Sequence, residues 1–116
     1  MKHSFIKSVQ CSMNGLLHAF KTERNFKIQI ICGICILLLG WVTKLSRMEW
    51  TILFLTMGFV LSMELINTCI EKIMDMVHPT YSEKVKIIKD MAAGAVWVSS
   101  LTALVIGIFL FYRLFI

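Results

Sequence analysis

Apolar residues run almost unbroken through three stretches of the chain: roughly Lys27 to Val42, Trp50 to about Ile70, and Met91 to Phe115. A helix rises about 1.5 Å per residue, so about 20 residues cross a hydrocarbon layer ~30 Å thick. The second and third stretches reach that length, and the first reaches it by extending slightly into its flanks. These patterns predict membrane-spanning helices over 27–43, 50–71 and 91–115. The N-terminal segment, 1–26, reads differently. Phe5, Ile6, Val9, Met13, Leu16, Leu17 and Phe20 recur at helical spacings, with Lys2, Lys7, Asn14 and Lys21 between them. That pattern suits a helix lying along the headgroup layer, or one packed on a cytosolic partner. "TKLSRME" makes a short turn between the first two spans. A longer charged connection, 72–90, separates the second and third and breaks at His78-Pro79.

Composition supports a membrane setting. Of 116 residues, 58% are apolar and 16% charged, with a single proline. One soluble core of this size could not bury so much apolar surface, whereas a helix bundle exposes it to acyl chains. The expected fold is an all-α integral membrane protein, an amphipathic surface helix plus three transmembrane helices. No apolar core with a small-residue cleavage site opens the chain, so no signal peptide is expected.

Charge sets the expected orientation. Lys2, Lys7, Lys21, Arg24 and Lys27 precede the first span, and Lys72, Lys84, Lys86 and Lys89 flank the second connection. Lys44, Arg47 and Arg113 fall on the other side. The positive-inside rule then places the N-terminus in the cytoplasm and the C-terminus outside. A net charge of +5 without groove-reading elements or interleaved aromatics does not point to nucleic acid.

Cys32-x-x-Cys35 sits within apolar sequence with no further thiol or imidazole nearby to complete a tetrahedral metal site, so these cysteines read as small packing residues. Ala95, Ser99, Ala103 and Gly107 recur every four residues, a small-residue stripe suited to close helix packing within a chain or between copies.

"MELINTCIEKIMDMV", Met63 to Val77, carries the chemistry. Glu64, Asn67, Glu71 and Asp75 share a sector of roughly 80° on one helix face. A carboxylate within a membrane costs at least ~2.5 kcal/mol, which marks Glu64 as a functional residue unless it is a neutral packing group. Glu71 lies about 10 Å nearer the cytoplasm, too far to share one Mg²⁺ with Glu64. A metal site at the surface and a proton acceptor at depth suit phosphoryl transfer to a lipid hydroxyl. Glu23, the one acid of the N-terminal segment, could join Glu71 at the metal, and Lys89-Asp90 could meet phosphate at the start of the third span. No P-loop pattern is present. Glu71 and Asp75 also read as solvated residues at a helix end, with Lys72 and Lys89 as headgroup anchors. Asn67 is equally an interhelical hydrogen-bonding residue.

"GLLHAFKTERNF", "ELINTCIEKIMD" and "KDMAAGAV" together resemble the small bacterial membrane kinases of the diacylglycerol kinase and undecaprenol kinase family. The resemblance runs from about Phe5 into the third span. It implies a homotrimeric bundle in the bacterial cytoplasmic (inner) membrane, with active sites between subunits and with ATP and Mg²⁺ in use. It assigns Glu64 as general base with Asn67 beside it, and Glu23 and Glu71 as metal ligands. Nucleotide contacts fall to Glu23, Glu71, Asp75, Thr80, Tyr81, Ser82, Lys89 and Asp90. Lipid contacts fall to Asn14, Phe20, Phe26, Gln29, Trp50 and Glu64. The pattern departs at Ser4 and Cys11, where the best-known branch has arginine and tyrosine, with Lys2 or Lys7 as the available substitutes. Gln29 replaces a second acidic residue of the diacylglycerol branch, and "ERNFKIQ" is more similar to the undecaprenol branch. The competing functions are a small transporter using Glu64 as an ion or proton site, and a membrane adaptor without catalysis.

Overall fold

A computed structural model describes residues 4–116, which form helices throughout. The order is α1 (Phe5–Thr22), α2 (Arg24–Thr43), α3 (Arg47–Val77) and α4 (Glu83–Leu110), closed by a 3₁₀ turn at Tyr112–Leu114. α2, α3 and α4 are each long and apolar enough to cross a membrane. Lys2, with the start of the 1–26 segment, lies outside the described residues.

Local chemistry sets each boundary. Ser4 caps α1, its Oγ accepting from the Lys7 amide at 3.2 Å. α1 ends where Glu23 turns extended, at φ −107° and ψ 110°, with its N–H donating to the Ala19 carbonyl at 2.8 Å. The Glu23 carbonyl then accepts from Lys27 N at 3.1 Å, and the helix resumes at once. Residues 24–26 therefore belong to α2, not to the N-terminal segment. "RNF" contains no breaker, and its three residues bring the first span to 20 residues, or about 30 Å. Lys27 lies over the Phe20 ring at 5.4 Å, linking the two helices across this one-residue elbow.

α2 stops at Lys44, which adopts the left-handed conformation, φ 57° and ψ 60°. Its N–H and that of Leu45 donate to the last carbonyls of the helix at 3.3 Å each. A capping box starts α3 at Arg47, three residues ahead of the expected span. Ser46 Oγ accepts from Glu49 N at 3.2 Å, and Glu49 Oε1 accepts from Ser46 N at 2.9 Å.

The charged connection expected over 72–90 shrinks to five residues, because α3 continues to Val77 and α4 begins at Glu83. Only Pro79 forces a break, and the residues on either side of His78-Pro79 are compatible with helix. α3, with 31 residues, is therefore about 46 Å long and overhangs the hydrocarbon layer. α4 ends at Leu110, short of 115, where the chain tightens into the 3₁₀ turn.

α4 packs along α3 more extensively than α2 does, and α1 meets α2. The buried apolar cluster of Leu45, Leu53, Leu110 and Phe111, flanked by Trp50 and Met57, lies at the end of the bundle away from Glu64. Elsewhere large apolar side chains point outward, such as Leu55, Trp97 and Phe109, as a lipid-facing surface requires. The four cysteines are free and exposed. In the α4 stripe Ser99 is buried, with its hydroxyl donating to the Val96 carbonyl at 2.8 Å. Gly107 has open space where a Cβ would stand, so no close approach occurs there within one chain.

Two glycines do sit at close approaches, with different tolerance. A Cβ on Gly40 would stand 2.9 Å from both Leu45 Cδ1 and the Trp50 indole, whereas one on Gly33 would meet only the tip of Met57 at 2.7 Å. The methionine can move aside; the packed indole cannot do so cheaply. Gly40→Ala is expected to destabilise by about 1–3 kcal/mol, and Gly33→Ala by distinctly less. Thermal unfolding of the two variants in detergent checks the order.

A carboxylate cleft as the candidate functional site

The elbow at Glu23 and the middle of α3 enclose a polar cleft of about 150 Å³, lined by Glu23, Arg24, Asn25, Glu64, Asn67, Thr68 and Glu71. Helical spacing supplies the α3 wall: positions 64, 67, 68 and 71 lie on one face. The opposite wall exists because the chain leaves helical geometry at Glu23 and re-enters it immediately, turning three consecutive polar side chains toward α3.

The acids differ in burial. Glu64 is 3% exposed, while Glu71 is exposed at the mouth. Asn67 stands between them, 8% exposed, and donates from Nδ2 to Glu71 Oε1 at 2.9 Å. Its own Oδ1 is buried without a partner. The carboxamides of Asn67 and Asn25 approach the Glu64 carboxyl, and Glu71 and Glu23 bring like charge to the same cleft. Glu23 is held by Lys72, with Nζ 3.2 Å from Oε1.

This donor set suits a hard cation. It offers carboxylate oxygens and an unpartnered amide oxygen, which match Mg²⁺ chemistry. Among the described residues, no three acidic, histidine or cysteine side chains converge closely enough to hold a metal alone. A site with one or two carboxylates, completed by phosphate and water, is the form magnesium takes when it works with a nucleotide.

The remaining expected residues lie outside the cleft. Asp75, assigned to the same α3 face, pairs with Lys89 of α4 at 2.5 Å. Asp90 pairs with Lys86 at 2.7 Å. The Thr80 carbonyl contacts the His78 ring at 2.9 Å, Tyr81 donates to Glu83 at 3.0 Å, and Ser82 caps α4 without a side-chain bond. Of the lipid-contact residues, Asn14 and Phe20 are exposed on α1, Phe26 is buried, and Trp50 packs near the far cluster. Gln29 borders an apolar cavity of about 610 Å³ between α2, α3 and α4, and its buried Oε1 has no partner.

Sequence reasoning missed Arg24, Asn25 and Thr68, and it gave Lys72 only an anchoring role. Thr68 was findable, since 64, 67, 68 and 71 follow the i, i+3, i+4, i+7 series. Arg24 and Asn25 carried no such signal, because their direction depends on the elbow.

Fold and cleft together define a helical protein with three membrane-length helices and a buried carboxylate, Glu64, beneath the more exposed carboxylates of Glu71 and Glu23. A family model described as prokaryotic diacylglycerol kinase matches residues 10–111. The undecaprenol kinase of Bacillus subtilis is 36% identical over 107 residues, covering 92% of this chain and 87% of that protein. A diacylglycerol kinase of Synechocystis is 33% identical over 105 residues, covering 90% of this chain and 60% of that protein. One from Helicobacter pylori is 36% identical over 90 residues, covering 77% of this chain and 70% of that protein. The chain belongs to the prokaryotic diacylglycerol kinase family. It is a bacterial membrane lipid kinase.

Proposed function

We propose that the protein transfers the γ-phosphoryl group of ATP to the hydroxyl of undecaprenol in a Mg²⁺-dependent reaction, with diacylglycerol as the alternative acceptor. One observation carries the reading: Glu64 is buried at the base of a cleft whose mouth holds Glu71 and Glu23. The preference for undecaprenol rests on the similarity to the Bacillus subtilis enzyme and on Gln29, a neutral residue in the lining of the apolar cavity.

The lipid hydroxyl enters at the depth of Glu64, with its apolar chain in the bilayer. Its oxygen attacks the γ-phosphorus, its proton passes to a Glu64 carboxylate oxygen, and the bond from the γ-phosphorus to the bridging oxygen breaks. ADP leaves with that electron pair. Asn25 and Asn67 steady the Glu64 carboxyl, and Asn67 also orients Glu71. Glu71 and Glu23 would hold Mg²⁺, which when bound neutralises charge on the phosphate oxygens. Lys89 is the phosphate-binding cation, with Asp75, Asp90, Thr80, Tyr81 and Ser82 around the nucleotide. Asn14, Phe20, Phe26, Gln29 and Trp50 contact the lipid.

α1 lies in the cytoplasmic headgroup layer of the inner membrane, its exposed Phe5, Ile6 and Met13 turned to lipid. Because Lys89 and Asp90 do not line the cleft of their own chain, the reading includes a homotrimer in which a neighbouring copy completes each site. The transporter reading of Glu64 finds no support in the matched relatives, which are kinases.

Purified protein in lipid nanodiscs, given labelled ATP with undecaprenol or diacylglycerol, tests the assignment. Undecaprenol is expected to give the higher kcat/KM. A higher value for diacylglycerol reverses the acceptor assignment, and transfer to neither removes the reading.

A further inference from the structure

We propose that Lys72 is a built-in counter-ion: it neutralises Glu23 in the empty cleft and yields that carboxylate to the metal when nucleotide phosphate arrives to receive the lysine's charge. This rests on the metal reading above and adds an order of events to it.

The cleft holds three carboxylates, Glu23, Glu64 and Glu71. Two have neutral support: Asn67 donates to Glu71, and Asn67 and Asn25 approach Glu64. Glu23 has instead a full positive charge, the Lys72 ammonium at 3.2 Å. The lysines at the start of α4 pair with acids outside the cleft, Lys89 with Asp75 and Lys86 with Asp90. Among the described residues, Lys72 is therefore the one ammonium paired with a cleft acid.

Its position fits exchange rather than permanent bonding. The Lys72 side chain is 55% exposed, on the overhang of α3, and its flexible stem lets the ammonium move into headgroup water. Glu23 sits on the single extended residue between α1 and α2, where no helical register fixes its side chain. The ion pair with α3 supplies that register. A divalent cation and the ammonium repel each other at the same carboxylate oxygen, so free metal must displace the lysine unaided. A triphosphate removes the conflict by attracting both cations. Lys72 is in this sense a positioning residue that couples metal binding to nucleotide binding.

Mn²⁺ titration followed by electron paramagnetic resonance, on the full chain in nanodiscs, tests this without turnover. Lys72→Met, with Lys72→Gln as a second variant, should bind Mn²⁺ about threefold more tightly than wild type without nucleotide, the size of effect a half-exposed ion pair allows. With a non-hydrolysable ATP analogue present, both variants should lose that advantage, while Lys72→Arg should follow wild type in both titrations. Unchanged or weaker nucleotide-free binding in Lys72→Met and Lys72→Gln overturns the inference. If wild type binds Mn²⁺ with the analogue but all variants match it, only the role of Lys72 fails. If wild type binds none even with the analogue, the metal reading fails with it.

Discussion

Glu64→Gln lowers kcat by about two to four orders of magnitude, the range a positioned general base contributes, while leaving the protein folded and able to bind nucleotide. Glutamine has nearly the shape of glutamate, and the Asn25 and Asn67 carboxamides beside it can meet either side chain. The change removes proton-accepting power with little change in volume. It also removes one of three carboxylates from a small cleft, and the one that is 3% exposed. Desolvation and like-charge repulsion both fall, so thermal stability in detergent should hold or rise. Loss of activity with stability unchanged or raised identifies a chemical role. Full turnover in an intact variant would rule out Glu64 as the base.

Glu71→Gln should act on the metal requirement. The half-saturating Mg²⁺ concentration is expected to rise at least about tenfold, with kcat partly restored by excess metal. Asn67 can still donate to the glutamine oxygen that replaces Oε1, so the local geometry survives and the loss reflects ligand charge. A Mg²⁺ titration of activity at saturating ATP measures it, with Glu64→Gln as the contrast, since that variant should change turnover without moving the midpoint. An unshifted midpoint in Glu71→Gln would remove Glu71 from the metal site.

The spans were legible because lipid exposure imposes long apolar runs, and Pro79 marked the break between α3 and α4. The helix ends were less so. Ser46 and Glu49 form a capping box whose S-x-x-E spacing is visible in "SRME", yet the hydrophobic pattern points to the apolar run that follows. The charged residues of 72–90 suggested a loop; once clear of lipid, however, a helix continues until proline stops it. Spacing put Glu64, Asn67 and Glu71 of the α3 wall on one face, and Thr68 belongs to the same series. Asp75 shares their face but lies beyond the cleft, where it pairs with Lys89 at the start of α4. Of the opposite wall only Glu23 was named in advance, as the lone acid of its segment; Arg24 and Asn25 were not, because their direction depends on Glu23 leaving helical geometry.

The elbow at Glu23 also divides the molecule by robustness. α3 and α4 form a hairpin with a five-residue link and the more extensive packing, whereas the cleft needs α2 to stay docked on α3 through a sparser contact. Regions held by fewer contacts open at lower free energy than the rest of a fold. Disturbance of the α2 contact would dismantle the acid cluster while the hairpin, and most of the helical signal, survived. For this protein, phosphotransfer is a finer gauge of intact tertiary structure than helicity.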